Sequence, residues 1–388
     1  MAIELTYVLV NPYTISKSRT GGVISRITSR TGLDLVAVRM FGPSQELVDR
    51  YADIIRASSD VPKEEGTIIA DHVMQNYGPN PRTGKPRRVM MLLFEGEDAI
   101  NRVKEAVGSV RKLTTSGETV RDTFGDLIVD ENNQIRYVEP AVTIGRSKET
   151  IQKVLKLWAE FTEKDGGLID DADDLAEGSD VQRTLVIIKP DNFRFPSARP
   201  GNIIDLFSAS GLRIIGAKIH RMSVSEGEQF YGPVQHVLRE KLKAPSAERA
   251  TAALREEFGF SLPEQVKTQI GELVGPCFGD EQFYQIIEFM TGYRPTAVKP
   301  EDKSKPGSTR CLVLIYKGNK AIERIRKILG PTDPSKAGPG SVRKEYGKDI
   351  MINAAHASDS AENAIREMGI VKPEKDTIKD WFEKYYKN

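Results

Sequence analysis

One histidine near the C-terminal end of the 388-residue sequence, His356, lies in the run Ile352-Asn-Ala-Ala-His-Ala-Ser-Asp-Ser-Ala-Glu362. Neutral imidazole titrates near ~6.5, so at neutral pH it offers a lone pair without a separate base and can carry a covalent intermediate. The apolar run Ile350-Met-Ile-Asn-Ala-Ala355 predicts a short buried strand, and Asp359-Ser-Ala-Glu362 predicts a capping box opening a helix from Ser360 to Met368. His356 is then expected in the strand-to-helix turn. Its second ring nitrogen needs a partner to fix the tautomer, and Glu367 can supply it if the helix folds back on the strand. A satisfied structural histidine is the alternative.

The neighbouring residues favour chemistry. Gly330-Pro-Thr-Asp-Pro-Ser-Lys-Ala-Gly-Pro-Gly-Ser-Val-Arg-Lys-Glu-Tyr-Gly347 is too long for a turn and too polar for a core, and reads as an ordered functional loop. Thr332 can donate a hydroxyl there, and Arg326 and Arg343 bracket the loop with guanidinium forks suited to phosphate oxygens. Thr184-Leu-Val-Ile-Ile-Lys-Pro-Asp191 reads as a buried strand ending in Lys189. Each cation alone could be an ordinary surface charge. Together with His356 they describe a nucleophile ringed by positive charge, as phosphoryl transfer requires.

Four motifs in order, Ile188-Lys-Pro-Asp191, Gly330-Pro-Thr-Asp-Pro334, Pro339-Gly-Ser-Val-Arg343 and Asn353-Ala-Ala-His-Ala-Ser-Asp-Ser360, resemble the nucleoside diphosphate kinase family. The resemblance implies an α/β fold, a ferredoxin-like sandwich with an antiparallel sheet. It also implies transfer of the γ-phosphate of ATP or another nucleoside triphosphate to a nucleoside diphosphate through phosphohistidine. By the same resemblance His356 is the phosphorylated nucleophile, Glu367 orients its ring and Ser358 supports the pair. Lys189, Arg326, Thr332 and Arg343 hold phosphates, Tyr231 helps position Lys189 and the phosphoryl group, and Asn353 bonds the sugar. Mg²⁺ is expected to arrive with the nucleotide phosphates, with no dedicated metal site in the protein. Two departures stand out. Ala357 replaces the glycine usual after the histidine, and the base-stacking position falls on Gln282 or Phe283, with Ile286 as the aliphatic neighbour. Residues 236–281, rich in Lys, Arg, Glu and Ala, are an insertion expected to form helices, either a lid or a packing contact. In it Ala250, Ala253, Leu254 and Phe258 fall at helical spacing in the stretch from Ala247 to Phe258.

A net charge of +1 leaves no footprint for general nucleic-acid binding, and two cysteines, Cys277 and Cys311, build no disulfide framework. The opening Met1-Ala-Ile-Glu-Leu-Thr-Tyr-Val-Leu-Val10 is too short and too acidic to read as a signal sequence, and no apolar run is long enough to span a membrane. A cytoplasmic location is the expectation.

The chain also matches itself. Tyr7-Val-Leu-Val-Asn-Pro12 parallels Leu185-Val-Ile-Ile-Lys-Pro190, Thr31-Gly-Leu-Asp-Leu-Val-Ala-Val38 parallels Ser210-Gly-Leu-Arg-Ile-Ile-Gly-Ala217, and Arg88-Val-Met-Met-Leu-Leu-Phe-Glu-Gly96 parallels Arg310-Cys-Leu-Val-Leu-Ile-Tyr-Lys-Gly318. This reads as tandem duplication: a domain over 1–165, an acidic solvated linker over 166–181 and a catalytic domain over 182–388. The first copy carries Asn11 at the lysine position, Thr143 at the histidine position and Pro140 at the asparagine position, while Arg121 matches Arg343 and Tyr51 matches Tyr231. It is expected to be inactive and to serve as a covalent pseudo-partner, so that oligomers are built on an intrachain pseudo-dimer. The competing expectation for the whole chain is a non-catalytic nucleotide-binding regulatory module on the same fold.

Overall fold

The computed structural model describes residues 2–110, 117–132, 134–175 and 177–387. Its strands are β1 (Ile3–Val10), β2 (Asp34–Phe41), β3 (Val89–Glu97), β4 (Asp126–Val129), β5 (Ile135–Glu139), β6 (Val142–Ile144), β7 (Val181–Ile188), β8 (Arg213–His220), β9 (Cys311–Asn319) and β10 (Ala355–Ala357). The long ones are continuous apolar runs, the pattern of strands covered on both faces. They form two four-stranded antiparallel sheets, ordered β2-β3-β1-β6 and β10-β7-β9-β8. Read from the other edge, the second order is β8-β9-β7-β10, the first sheet's order strand for strand. A two-stranded ribbon, β4-β5, stands apart.

Compactness divides the chain otherwise than at the 1–165 and 182–388 boundaries. The larger unit is Met1–Ile219, Leu312–Met368 and Lys372–Asn388, and the smaller is His220–Cys311 with Gly369–Val371. Both sheets contribute to the larger unit. There the helices Thr20–Thr31 and Arg199–Ser208 pack on each other, and Gly21 and Gly201 meet so closely that a Cβ on Gly201 would lie 2.3 Å from the Gly21 carbonyl. One core cluster runs through this contact, joining Val8, Ile24 and Leu92 to Val186, Ile204 and Leu314. A second covers the other face of the first sheet and takes in Trp158, Tyr51 and, from the C-terminal end of the chain, Ile378 and Tyr386. The helix Ile378–Tyr386 is tied down by Tyr386, whose hydroxyl donates to the Leu5 carbonyl at 2.7 Å. Buried Arg39 donates to the Glu374 carbonyl at 3.0 Å and lies 3.8 Å from Asp376.

The acidic segment between the sheets is docked rather than solvated, contrary to the sequence expectation. Gly167 donates to the Met40 carbonyl at 2.9 Å and Ile169 to the Ile215 carbonyl at 2.8 Å, so the segment bridges β2 and β8. Its charges are matched: Asp170 pairs with Arg183 at 2.8 Å, Asp174 with Arg88 and Arg213, and Asp173 accepts from Asn80 and Thr83. Composition shows the aspartates; the basic residues that neutralise them lie outside the segment, just before β3 and on β7 and β8.

The smaller unit is helical, with helices Val224–Lys241, Lys243–Phe258 and Glu264–Thr291. The expected helices are present, but the expected apolar face is not the buried one: Ser246 and Ala247 are buried and Phe258 is 64% exposed. Glu264–Thr291 approaches its neighbours through Gly275, where a Cβ would stand 2.6 Å from the Lys243 Cα.

Candidate active site

His356 is the middle residue of β10, opposite Ile187 of β7. The strand begins at Ala355, later than the expected 350–355, and places His356 inside the strand rather than in the turn. Ala354, held at φ 69, breaks the extended run, and Ile350 is exposed. The following helix is Ala361–Val371, capped by Ser360 accepting from the Asn363 amide, in place of the expected box at Asp359 and Glu362. The helix does fold back on the strand. His356 Nε2 lies 3.0 Å from Glu367 Oε2, and the Ser358 hydroxyl donates to the same oxygen at 2.6 Å. Glu367 and Ser358 are buried while the His356 side chain is 23% exposed. A carboxylate only accepts, so Nε2 carries a proton, and in the neutral ring the lone pair is the one at Nδ1.

Lys189 follows β7 and is buried; its Nζ donates to Asn353 Oδ1 at 2.7 Å and to the Met351 carbonyl at 3.2 Å. Burial, and secondarily the Arg343 guanidinium, push the ammonium down to about 8. Asn353 donates to the Thr332 carbonyl at 3.1 Å and the Ile350 carbonyl at 2.8 Å. Its amide thus spends both sides on the protein, linking Lys189 to the loop. Arg343 sits in a short helix, Val342–Tyr346, which with the turn Pro334–Lys336 gives the expected loop regular structure. Its guanidinium donates to the Gly330 carbonyl at 3.0 Å and the Ala355 carbonyl at 3.2 Å. Thr332 and Arg326 are exposed. Asn363 and, beyond it, Arg326 hold the Asp359 carboxyl below its usual range. The larger unit therefore gathers Lys189, Arg343, Asn353, His356, Ser358 and Glu367 in one hydrogen-bonded neighbourhood. Tyr231, Phe283 and Ile286 belong to the helical unit, where Tyr231 and Phe283 are buried and Ile286 is partly so.

The first sheet repeats the backbone of this site. Thr143 stands opposite Leu9 as His356 stands opposite Ile187. Asn11 donates its amide N–H to the Ala141 carbonyl as Lys189 does to Ala354, and Ala141 has φ 61. Arg121 donates to Gly108 and Val142 carbonyls as Arg343 does to Gly330 and Ala355. The side chains differ completely. Thr143 shares hydrogen bonds with Tyr51 at 2.9 Å and Tyr77 at 3.0 Å, and Asn11 is held by Tyr77, Glu139 and His72. Burial lowers His72 to about 4, and burial raises the Glu139 carboxyl above its ordinary value. Sequence reasoning missed His72 and Glu139 here, and Asn192 and Arg199 in the second half: no spacing rule connects them to Thr143 or His356.

A carboxylate-clamped histidine beside a buried lysine and arginine, at the edge of an antiparallel sheet, is a site laid out for chemistry on an anionic group. The family profile described as "Nucleoside diphosphate kinase" matches residues 283–377. The nucleoside diphosphate kinase of Pyrobaculum aerophilum is 30% identical over 198 residues, 48% of this chain and 93% of that protein. That of Chlamydia abortus is 30% identical over 188 residues, 48% of this chain and 90% of its own length. A crystal structure of an NDP kinase from Pyrobaculum aerophilum covers 49% of this chain and 94% of its own at 28% identity, with a TM-score of 0.32. The chain belongs to the nucleoside diphosphate kinase family. Among the described residues, no group of three or more His, Cys, Asp or Glu is placed to hold a metal ion, and no helix is long and apolar enough to cross a membrane.

Proposed function

We propose that the chain is a nucleoside diphosphate kinase working by a ping-pong cycle through His356. The observation that carries this is the Glu367 clamp, which engages Nε2 and leaves the Nδ1 lone pair as nucleophile. Nδ1 attacks the γ-phosphorus of a nucleoside triphosphate, the bond to the β,γ-bridging oxygen breaks, and the diphosphate departs with that oxygen. A terminal phosphate oxygen of an acceptor diphosphate then attacks phosphohistidine and the P–N bond breaks. Glu367 stabilises the ring as it gains positive character, and Lys189 and Arg343 favour the charge on the transferring group. Arg326 and Thr332, exposed beside the same loop, would meet the remaining phosphate oxygens. Mg²⁺ would enter as part of the nucleotide substrate, ligated by phosphate oxygens and water, since the side chains gathered here are cations and a committed carboxylate. Asn353 would reach a sugar hydroxyl only by giving up one of its present partners. The roles of Tyr231, Phe283 and Ile286 rest on the resemblance alone.

The shared backbone hydrogen bonds support reading the chain as a tandem duplication whose first copy has lost the reaction and serves as an intrachain pseudo-subunit. Threonine held by two tyrosines has no activating base, and the lysine is gone. The test is incubation with γ-labelled ATP and Mg²⁺, followed by a chase with GDP. Acid-labile label that passes to GTP and is absent from His356→Ala is expected; label retained by His356→Ala would overturn the assignment, and nucleotide binding without label would favour a regulatory module.

A further inference from the structure

Asn192, buried just past Lys189, is the best-connected side chain of the site that the chemistry above does not use. Its amide nitrogen donates to two carbonyls, Lys189 at 3.1 Å and Ala354 at 2.9 Å. Its oxygen accepts from Arg199 Nε at 3.1 Å, which fixes the orientation of the amide because a guanidinium only donates. Arg199 continues to the Tyr346 carbonyl at 2.9 Å and lies 5.4 Å from the centre of that ring. Tyr346 ends the helix that carries Arg343, and Arg343 donates to Ala355, the residue before His356. The circuit thus runs from the lysine's backbone to the nucleophile's backbone. Its pivot is the carbonyl of Ala354, the left-handed residue between the lysine's partner Asn353 and β10, which accepts from both Lys189 N and Asn192.

The first half separates the two jobs of this residue. At the matching position Thr14 donates to the Ala141 carbonyl at 3.0 Å, reproducing the contact to the kink with one donor. A threonine has no second donor for the preceding carbonyl, whereas the arginine arm recurs: Arg19 donates to the Phe124 carbonyl at 3.1 Å as Arg199 does to that of Tyr346. The kink contact therefore belongs to the fold; the tie to Lys189 belongs to the half that keeps the lysine.

We propose that Asn192, oriented by Arg199, is a positioning residue that sets the Lys189 ammonium relative to the His356 ring. This rests on the phosphohistidine reading. Asn192→Thr should keep the kink contact and the backbone bond to the Lys189 carbonyl, and lose the side-chain tie to that carbonyl together with the amide oxygen that accepts from Arg199. Its Tm is expected to match wild type, while the single-turnover rate of label transfer from γ-labelled ATP to His356 falls about 10- to 100-fold, the scale of an ångström-sized misplacement. The final amount of label and the Kd for ATP should stay within about threefold, and Asn192→Ala should lose both rate and Tm. A structural role alone would lower the amount of label with the melting point and leave the rate per folded molecule unchanged. Wild-type rates in Asn192→Thr, or a rate loss only in proportion to Tm, would overturn the proposal while the labelled wild type still upheld the kinase reading. An unlabelled wild type would overturn both.

Discussion

The two sheet edges at Thr143 and His356 share a backbone and differ in what it holds. Each has a left-handed alanine before the short edge strand, an arginine donating to the same pair of carbonyls, and a serine capping the next helix. In the first half the space over that backbone is filled by Tyr51, Tyr77, His72 and Glu139, all hydrogen-bonded and buried. In the second, a partly exposed histidine and a buried lysine, its ammonium pushed down to about 8 by burial, occupy it. Arg121 persists where the histidine is absent, so the arginine clamp is first a fold element. That makes Lys189, more than Arg343, the cation on which the two centres diverge.

The largest expected effect follows from that divergence. Lys189→Gln should lower kcat about 10²- to 10³-fold in steady-state transfer from ATP to GDP, the cost of removing one group aimed at transition-state charge. A loss under threefold would return the weight to Arg343.

Raising the pH should act on the same group. Burial pushes the Lys189 ammonium down from 10.5 to about 8, so its charge is expected to be present below about 8 and lost above it. Activity should fall about tenfold per unit beyond that point. Stability should run the other way: between about 8 and 10.5 the unfolded chain binds the extra proton, and unfolding free energy from this group rises with pH. Urea midpoints and rates measured across this window should diverge, and Lys189→Arg should remove both trends.

Thr143→His tests the filled centre from the other side. Thr143 is fully buried between Tyr51 and Tyr77, so an imidazole ring there overpacks the centre and should cost about 1–3 kcal/mol in urea unfolding. Acid-labile label on Thr143→His in a His356→Ala background would show that packing does not close the first centre. The smallest expected effect is Ser358→Ala, which removes one donor to Glu367 but leaves the clamp on His356; about a 3- to 10-fold loss in kcat, near the ~1 kcal/mol of a single hydrogen bond, should be seen in the same assay.

His356, Glu367, Ser358, Lys189, Arg343 and Asn353 were legible because residue types and chain order carry them, and the long strands because apolar runs mark them. The strand at 350–355 misled because Asn353 and Ala354 look apolar-compatible in sequence while one spends its amide on Lys189 and the other adopts a backbone no strand allows. The acidic segment misled because its neutralising residues, Arg88 just before β3, Arg183 on β7 and Arg213 on β8, lie outside it.

By itself the sequence determined the chemistry available to this protein: a histidine, its carboxylate, and cations in an order that defines a family. Only the tertiary structure decided which groups are committed to holding one another. Hydrogen bonds between residues as distant as Lys189 and Asn353, or Asn192 and Ala354, depend on where strand ends and turns converge, and that convergence is set by packing of the whole sheet rather than by any local pattern.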